Sequence, residues 1–174
     1  NRGERLKNTL SSFQRLNTSG IDPEFVIIDN GSSDNTRQVV ESFTDSLRIV
    51  YLFEPASGKS SALNKALQEA PLGELIVFTD DDIIPDINWL AAVAASGREY
   101  PDISVFGGRI SPKWPAPLPK WLNDLGPDFF GWAYAYHDLG SSPVLYSLEK
   151  SPNEPFGPNF WVRKEVLQTG ILFN

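Results

Sequence analysis

The first hundred residues alternate between short apolar runs and segments in which apolar residues recur at helical spacing. Continuous apolar runs are typical of strands buried on both faces, as parallel sheets require. Their alternation with helices predicts a right-handed β-α-β sheet with helices on both faces, an α/β fold. The predicted strands are residues 25–28, 49–53, 75–78 and 103–106. The chain opens with a helical pattern (Leu6, Leu10, Phe13, Leu16) where such a fold normally opens with a strand, so we expect a gap or an exposed edge in the sheet.

Residues 111–161 have a different character. Nine of the 14 prolines lie between Pro112 and Pro158, which excludes long helices there, and the many aromatic residues argue against a disordered linker. We therefore expect one domain with two parts. Residues 1–110 form the β-α-β part, and residues 111–174 form an ordered, irregular extension of it.

Three consecutive acids, Asp80, Asp81 and Asp82, follow the third predicted strand almost directly. Adjacent carboxylates repel each other, so a fold keeps them together where solvent or a cation compensates. Open α/β sheets bind ligands at the carboxyl ends of their strands, and alternate acids can hold one hard cation there. The alternative is a solvated loop that leads into a helix.

Two further candidates lie in loops. Asp29 ends the first predicted strand, where a carboxylate can accept N–H donors of a base or bond ribose hydroxyls; alternatively it satisfies the amides of the following turn. Lys59 lies in a Gly-Lys-Ser segment that leads into a helix and can present amides and a cation to a diphosphate. The segment is not a Walker A loop, because Phe53 stands where that motif requires glycine.

Composition excludes several classes of protein. With 15 Lys and Arg against 22 Asp and Glu, the net charge is −7, which argues against nucleic acid as a partner. The absence of cysteine excludes disulfides, thiolate metal sites and a cysteine nucleophile. No apolar stretch approaches the roughly 20 residues that span a bilayer. The one histidine, His137, lies in an aromatic segment and is interpreted as a packed or surface residue.

Three stretches in this order resemble family 2 glycosyltransferases of the GT-A fold. They are residues 25–36 (FVIIDNGSSDNT), 58–66 (GKSSALNKA) and 73–90 (GELIVFTDDDIIPDINWL). A weaker fourth stretch, residues 157–164 (GPNFWVRK), is similar to the family's Gly-Ala-Asn-Met segment. The resemblance implies transfer of a sugar from a nucleoside diphosphate donor, such as a UDP- or GDP-sugar, to a hydroxyl acceptor, usually with inversion of the anomeric centre.

The resemblance also implies roles for the candidate residues. Asp29 would contact the nucleotide base, and Lys59 would flank the nucleotide. Asp80 and Asp82 match the family's Asp-x-Asp, which holds Mg²⁺ or Mn²⁺ against the diphosphate, and Asp81 would lie near the ribose or sugar.

Two parts of the family pattern are missing. The first strand would precede Asn1, and the catalytic carboxylate of the Glu-Asp motif would follow Asn174, so we expect a domain truncated at both ends and assign no general base. Acceptor specificity is expected in residues 111–161, where Trp114, Trp121 and Trp132 either stack on sugars or pack in the core.

The resemblance implies a bacterial polysaccharide enzyme of the cytoplasm, at or near the inner membrane face, with a saccharide or lipid-linked acceptor. Two other functions stay open at this point. One is a non-catalytic nucleotide-sugar-binding domain, and the other is a nucleotidylyltransferase-like enzyme.

Overall fold

The computed structural model describes residues 1–125, 134–146, 154–170 and 172–174, in which helices and strands alternate over the first hundred residues as predicted. The strands are β1 (Phe25–Asp29), β2 (Ile49–Phe53), β3 (Leu75–Phe78), β4 (Val105–Gly107) and β5 (Phe160–Arg163). The helices are α1 (Gly3–Phe13), α2 (Thr36–Glu41), α3 (Lys59–Glu69), α4 (Trp89–Glu99), α5 (Lys120–Asn123) and α6 (Lys164–Leu167).

Helix α1 supplies the centre of the hydrophobic core. The apolar residues predicted at helical spacing are all buried, and Leu10 is fully inaccessible to solvent. Phe13 stacks on Phe25 of β1 with 4.9 Å between ring centroids. The core therefore holds α1 against the first strand. The nine core residues are Leu6, Leu10, Phe13, Leu16, Val39, Val40, Phe43, Leu47 and Leu90.

Strands β1 and β2 pair in parallel, in the register that places Phe25 beside Ile49 and Asp29 beside Phe53. A parallel pair needs a crossover connection, which α2 provides, so the predicted β-α-β unit is confirmed here. Both strands end at the same edge, because they run in the same direction. Asp29 is consequently the last residue of β1 at that edge.

The remaining strands form a second sheet in the order β3-β5-β4. The predicted sheet of four strands was therefore incomplete. Strand β5 was not predicted, and it lies between β3 and β4. The fourth strand begins later than predicted because Ile103 belongs to the turn that ends α4, where its amide donates to the Tyr100 carbonyl over 3.2 Å.

The chain divides into two compact units. The larger unit comprises Asn1–Ile76, Asp80–Ser104 and Val162–Asn174, and the smaller comprises Val77–Thr79 and Val105–Trp161. All five candidate site residues lie in the larger unit. The suggested boundary at residue 110 stays a prediction. None of the helices in the described part of the chain has the length and hydropathy that a bilayer crossing requires.

Candidate functional site

The three acids lie where the sequence predicted them, just after the carboxyl end of β3. Thr79 separates Phe78, the last residue of the strand, from Asp80. The side chains of Asp80, Asp81 and Asp82 are 33%, 37% and 42% exposed, so all three remain accessible to a ligand.

Basic side chains of the same unit neutralise the triplet. Lys59 Nζ lies 2.9 Å from Asp80 Oδ1. Arg2 Nη1 lies 2.8 Å from Asp81 Oδ1 and 3.3 Å from Asp82 Oδ2. Arg5 Nη1 approaches Asp82 Oδ2 to 3.4 Å. Three positive charges thus face three negative ones, and the hydrogen bond and charge of Asp81 raise the pKa of Arg2.

Helix α1 is tied to the backbone of the triplet loop. The hydroxyl of Thr9, a buried residue, lies 2.8 Å from the Asp81 carbonyl oxygen and 3.1 Å from that of Ile83. The Asn1 side chain accepts hydrogen bonds from the amides of Ser33 and Asp34 instead of capping α1. The start of α1 therefore lies close to both the triplet loop and the turn after β1.

Asn30 links the loop before Lys59 to the end of β1. Its amide nitrogen donates to the carbonyl oxygens of Glu54 (3.0 Å) and Ala56 (2.6 Å), and its oxygen accepts from the Gly58 amide at 2.9 Å. Gly58 has φ of +134°, a conformation that residues with a Cβ rarely adopt. This turn starts α3 with Lys59 directed at Asp80.

Asp29 is buried, with 5% of its surface exposed. Its Oδ1 accepts a hydrogen bond from the Ser32 amide at 2.8 Å, which is the turn role considered as the alternative. Its Oδ2 accepts from the Tyr51 hydroxyl at 2.7 Å. Each oxygen retains a further lone pair, so a nucleotide base would be an additional donor to a carboxylate that is already held in place.

The pKa values of the Asp29 carboxyl and the Tyr51 hydroxyl are both shifted from their ordinary values. Burial of Asp29 disfavours its charged form, but the hydrogen bonds from Tyr51 and Ser32 outweigh that effect and lower the pKa of the carboxyl. Burial, together with the hydrogen bond to Asp29, raises the pKa of Tyr51 to about 12. The Arg37 guanidinium lies over the Tyr51 ring, 5.6 Å from its centroid. Asp29 is therefore an ionised acceptor and Tyr51 a neutral donor at neutral pH.

Within the described residues, no three Asp, Glu, His or Cys side chains are grouped as a complete metal site. Asp80 and Asp82 nevertheless offer accessible carboxylate oxygens, the ligand type that Mg²⁺ and Mn²⁺ prefer. Mg²⁺ is commonly held by one or two carboxylates together with phosphate oxygens and water. The donor set therefore fits a divalent cation that shares its coordination with a diphosphate.

The aromatic candidates of the smaller unit have different environments. Trp121 is 64% exposed, whereas Trp114 packs edge-on against Tyr134 with 4.8 Å between ring centroids. Trp132 lies outside the described residues. His137 is buried beside the Phe156 ring, so of the two interpretations, packed or surface, it is the packed one that holds. Trp121 thus keeps the exposed ring face that stacking on a sugar requires.

The sequence placed the triplet after a strand and Lys59 at the start of a helix, but it gave no sign that Lys59 contacts Asp80. It also gave no sign of the contacts made by Arg2, Arg5, Asn30 and Tyr51. Arg2 contacts acids 79 and 80 positions further along the chain, and no local pattern signals such a pair. Asn30 was identifiable only by its position directly after Asp29.

Comparison with known proteins gives a consistent result. The family model for glycosyl transferase family 2 matches residues 1–169. Validoxylamine A glucosyltransferase of Streptomyces hygroscopicus subsp. limoneus is 37% identical over 168 residues, which are 94% of this chain and 30% of that protein. Glucosyl-dolichyl phosphate glucuronosyltransferase of Haloferax volcanii is 22% identical, over 94% of this chain and 50% of that protein. The chain thus spans 30% to 50% of these relatives' lengths.

Two solved structures share the fold. The mannosyltransferase PcManGT of Pyrobaculum calidifontis, in complex with GDP-Man and Mn²⁺, aligns with a TM-score of 0.66 at 21% identity, over 100% of this chain and 45% of that one. S. aureus TarS 1–349 with UDP-GlcNAc aligns with a TM-score of 0.69 at 20% identity, over 97% and 44%. Since the family model covers nearly every residue and these structures share the backbone arrangement, the chain belongs to glycosyl transferase family 2 and has the GT-A fold.

Proposed function

We propose that this chain binds the donor in a metal-dependent glycosyltransferase, which transfers a sugar from a nucleoside diphosphate to a hydroxyl acceptor with inversion. The observation that carries the proposal is the meeting of Lys59 with the Asp80–Asp82 triplet at the carboxyl end of β3. The relatives support it, because their names specify glucosyl and glucuronosyl transfer and the solved structures contain GDP-Man and UDP-GlcNAc.

In this proposal Asp80 and Asp82 hold Mg²⁺ or Mn²⁺. A bound divalent cation would act as a Lewis acid that stabilises the negative charge on the leaving diphosphate. Lys59 supplies a further positive charge to the phosphates, which it can do by turning away from Asp80. Asp81, between the two ligands, accepts hydrogen bonds from ribose or sugar hydroxyls.

Asp29 is proposed to recognise the nucleotide base. Uracil and guanine carry N–H donors on their recognition edges, and an ionised carboxylate accepts them. The hydrogen bonds from Ser32 and Tyr51 fix the orientation of Asp29 before the nucleotide arrives. Preorganised acceptors bind more tightly, because no ordering cost remains at the moment of binding.

The acceptor side is proposed to lie in residues 111–174, with residues 1–110 as the nucleotide-sugar part. Trp121 is our candidate for stacking on an acceptor sugar, since its ring is exposed. We propose a saccharide or lipid-linked acceptor and action in the cytoplasm at the inner membrane face. We assign no residue of this chain as general base.

Isothermal titration calorimetry with UDP and GDP, with and without Mn²⁺, tests the proposal. We expect Mn²⁺ to strengthen nucleotide binding. Asp80→Asn or Asp82→Asn should reduce this Mn²⁺-dependent increase in affinity at least tenfold, because each substitution removes a charged ligand. Asp45→Asn is the matched control, since it removes an exposed carboxylate elsewhere. Nucleotide binding that is independent of metal, or unaffected by both substitutions, would contradict the metal assignment.

A further inference from the structure

One guanidinium nitrogen of Arg2 bridges two of the triplet carboxylates. Arg2 Nη1 donates to Asp81 Oδ1 at 2.8 Å and to Asp82 Oδ2 at 3.3 Å. Asp82 is also one of the two proposed ligands of the divalent cation. The same carboxylate therefore has two candidate positive partners.

These two partners exclude each other at close range. A cation such as Mg²⁺ sits about 2.0–2.1 Å from its oxygen ligands. A guanidinium nitrogen that stays 3.3 Å from the same carboxylate oxygen would face the cation as a like charge at short distance. Cation binding at Asp82 therefore requires Arg2 to move away.

Arg2 is free to move without disturbing the fold. Its side chain is 54% exposed, and the backbone of α1 is held independently by the Gly3 amide, which donates to Asp34 Oδ2 at 3.1 Å, and by Thr9. An open cavity of about 470 Å³ adjoins the start of α1 and offers room for the displaced guanidinium. Its lining residues are Asn1, Arg2, Gly3, Glu4, Arg5, Asp34 and Asn35.

We propose that Arg2 is an exchangeable counter-ion of Asp81 and Asp82, which the divalent cation must displace, so that Arg2 sets the affinity of the site for the cation. The inference rests on the proposed function, because it takes Asp82 as a metal ligand. It goes beyond that function in assigning a role to Arg2, the residue directly before α1. Arg5, with a single 3.4 Å contact to Asp82, has the same role to a smaller extent.

Mn²⁺ binding to the 174-residue chain without nucleotide tests the proposal, with free Mn²⁺ measured by its electron paramagnetic resonance signal. Breaking one exposed ion pair changes an equilibrium constant by a factor of about 1.4 to 5. Arg2→Gln removes two such contacts, so we expect it to tighten Mn²⁺ binding roughly 2- to 25-fold. Arg5→Gln is expected to tighten it less than Arg2→Gln does.

Two controls separate exchange from a general charge effect. Arg15→Gln removes the same charge just beyond α1, where the guanidinium donates to the Ser11 carbonyl oxygen, and is expected to leave Mn²⁺ affinity within twofold of wild type. In an Asp82→Asn background, Arg2→Gln is expected to lose most of its effect, because the contested carboxylate is gone. Thermal unfolding of each variant verifies that it is folded.

The outcomes distinguish this inference from the proposed function. Equal Mn²⁺ affinities of wild type and Arg2→Gln, or equal tightening by Arg15→Gln, would overturn the role of Arg2 while the nucleotide titrations still support donor binding. If neither wild type nor Arg2→Gln binds Mn²⁺ saturably, the exchange and the metal assignment both fail. If Arg2→Gln tightens Mn²⁺ binding but UDP and GDP do not bind, the exchange stands and the donor assignment fails.

Discussion

Replacing Tyr51 with phenylalanine tests how firmly the Asp29 carboxylate is held. The substitution deletes one hydroxyl, which donates to Asp29 Oδ2 over 2.7 Å, and leaves the ring in place beneath Arg37. Asp29 is only 5% exposed, so solvent has little access to the oxygen that loses its donor. The change in the free energy of unfolding therefore reports mainly on that hydrogen bond.

The size of the effect follows from the charge and burial of the acceptor. Hydrogen bonds to charged groups contribute about 1.5–3 kcal/mol, and a buried acceptor that loses its donor keeps its desolvation cost. We expect Tyr51→Phe to lower the free energy of unfolding by about 2 kcal/mol at pH 7. For a domain of this size, that corresponds to a fall in Tm of roughly 4–8 °C. Urea unfolding followed by circular dichroism measures it.

Tyr100→Phe is the matched control, because the Tyr100 hydroxyl donates over a similar 2.8 Å to Glu99, but at an exposed position. We expect it to cost no more than about 0.5 kcal/mol. A loss for Tyr51→Phe equal to that of the control would refute the reasoning. A loss of unfolding free energy in Tyr51→Phe that stays the same in acid would also refute it.

The pH dependence of this loss has a definite sign. The folded-state pKa of Asp29 is lowered, so its contribution to stability is present above the ordinary pKa of an aspartate and disappears as the pH falls through the folded value. The difference between wild type and Tyr51→Phe should therefore shrink in acid. At high pH, the raised pKa of Tyr51, about 12, adds stability that is complete below pH 10 and lost between pH 10 and 12. Tyr51→Phe should lack that alkaline loss.

Three further substitutions test the packing and the loop that position the site. Leu10→Ala, at a fully buried position, should lower the free energy of unfolding by about 2–5 kcal/mol in urea unfolding, without a change in m-value. Arg163→Gln should lower the free energy of unfolding by about 2–4 kcal/mol in the same assay, because the guanidinium donates to three carbonyl oxygens at and after the end of α4. Arg163→Lys should recover less than half of that loss. Gly58→Ala should lower the free energy of unfolding by about 1–3 kcal/mol through backbone strain at φ +134°, and it should weaken nucleotide binding by displacing Lys59. Gly73→Ala should change neither quantity, because the nearest atom to an added Cβ there lies 3.8 Å away.

The predictable parts of this fold are those encoded by local periodicity. The runs that became β1, β2 and β3 are apolar and continuous, and the stripe of α1 repeats every three or four residues, so neighbours along the chain suffice to identify them. Strand β5 was missed for the opposite reason. Its four residues follow a proline-rich segment, and its partners β3 and β4 lie more than fifty positions earlier, so only tertiary contacts define it.

The candidate site likewise contains residues that local sequence identifies and residues that it does not. Asp29 and the triplet were identifiable because each follows a strand, and strand ends collect ligand-binding groups in α/β sheets. Tyr51 and Arg2 were not, since each acts through a partner 22 or 79 positions away. In the sequence, Tyr51 is simply the middle residue of the predicted strand 49–53. Its hydroxyl became informative only when the register placed it beside β1.

The ion pairs also change the role of the proposed metal. From the sequence, three adjacent acids were expected to need solvent or a cation to compensate their repulsion. In the folded chain Lys59, Arg2 and Arg5 already balance them, so the triplet is neutral without a metal. A nucleoside diphosphate sugar adds about two negative charges, and a divalent cation adds two positive ones. In the proposed function the two positive charges of the metal would therefore match those of the donor, and donor and metal should bind with positive coupling once Arg2 has been displaced.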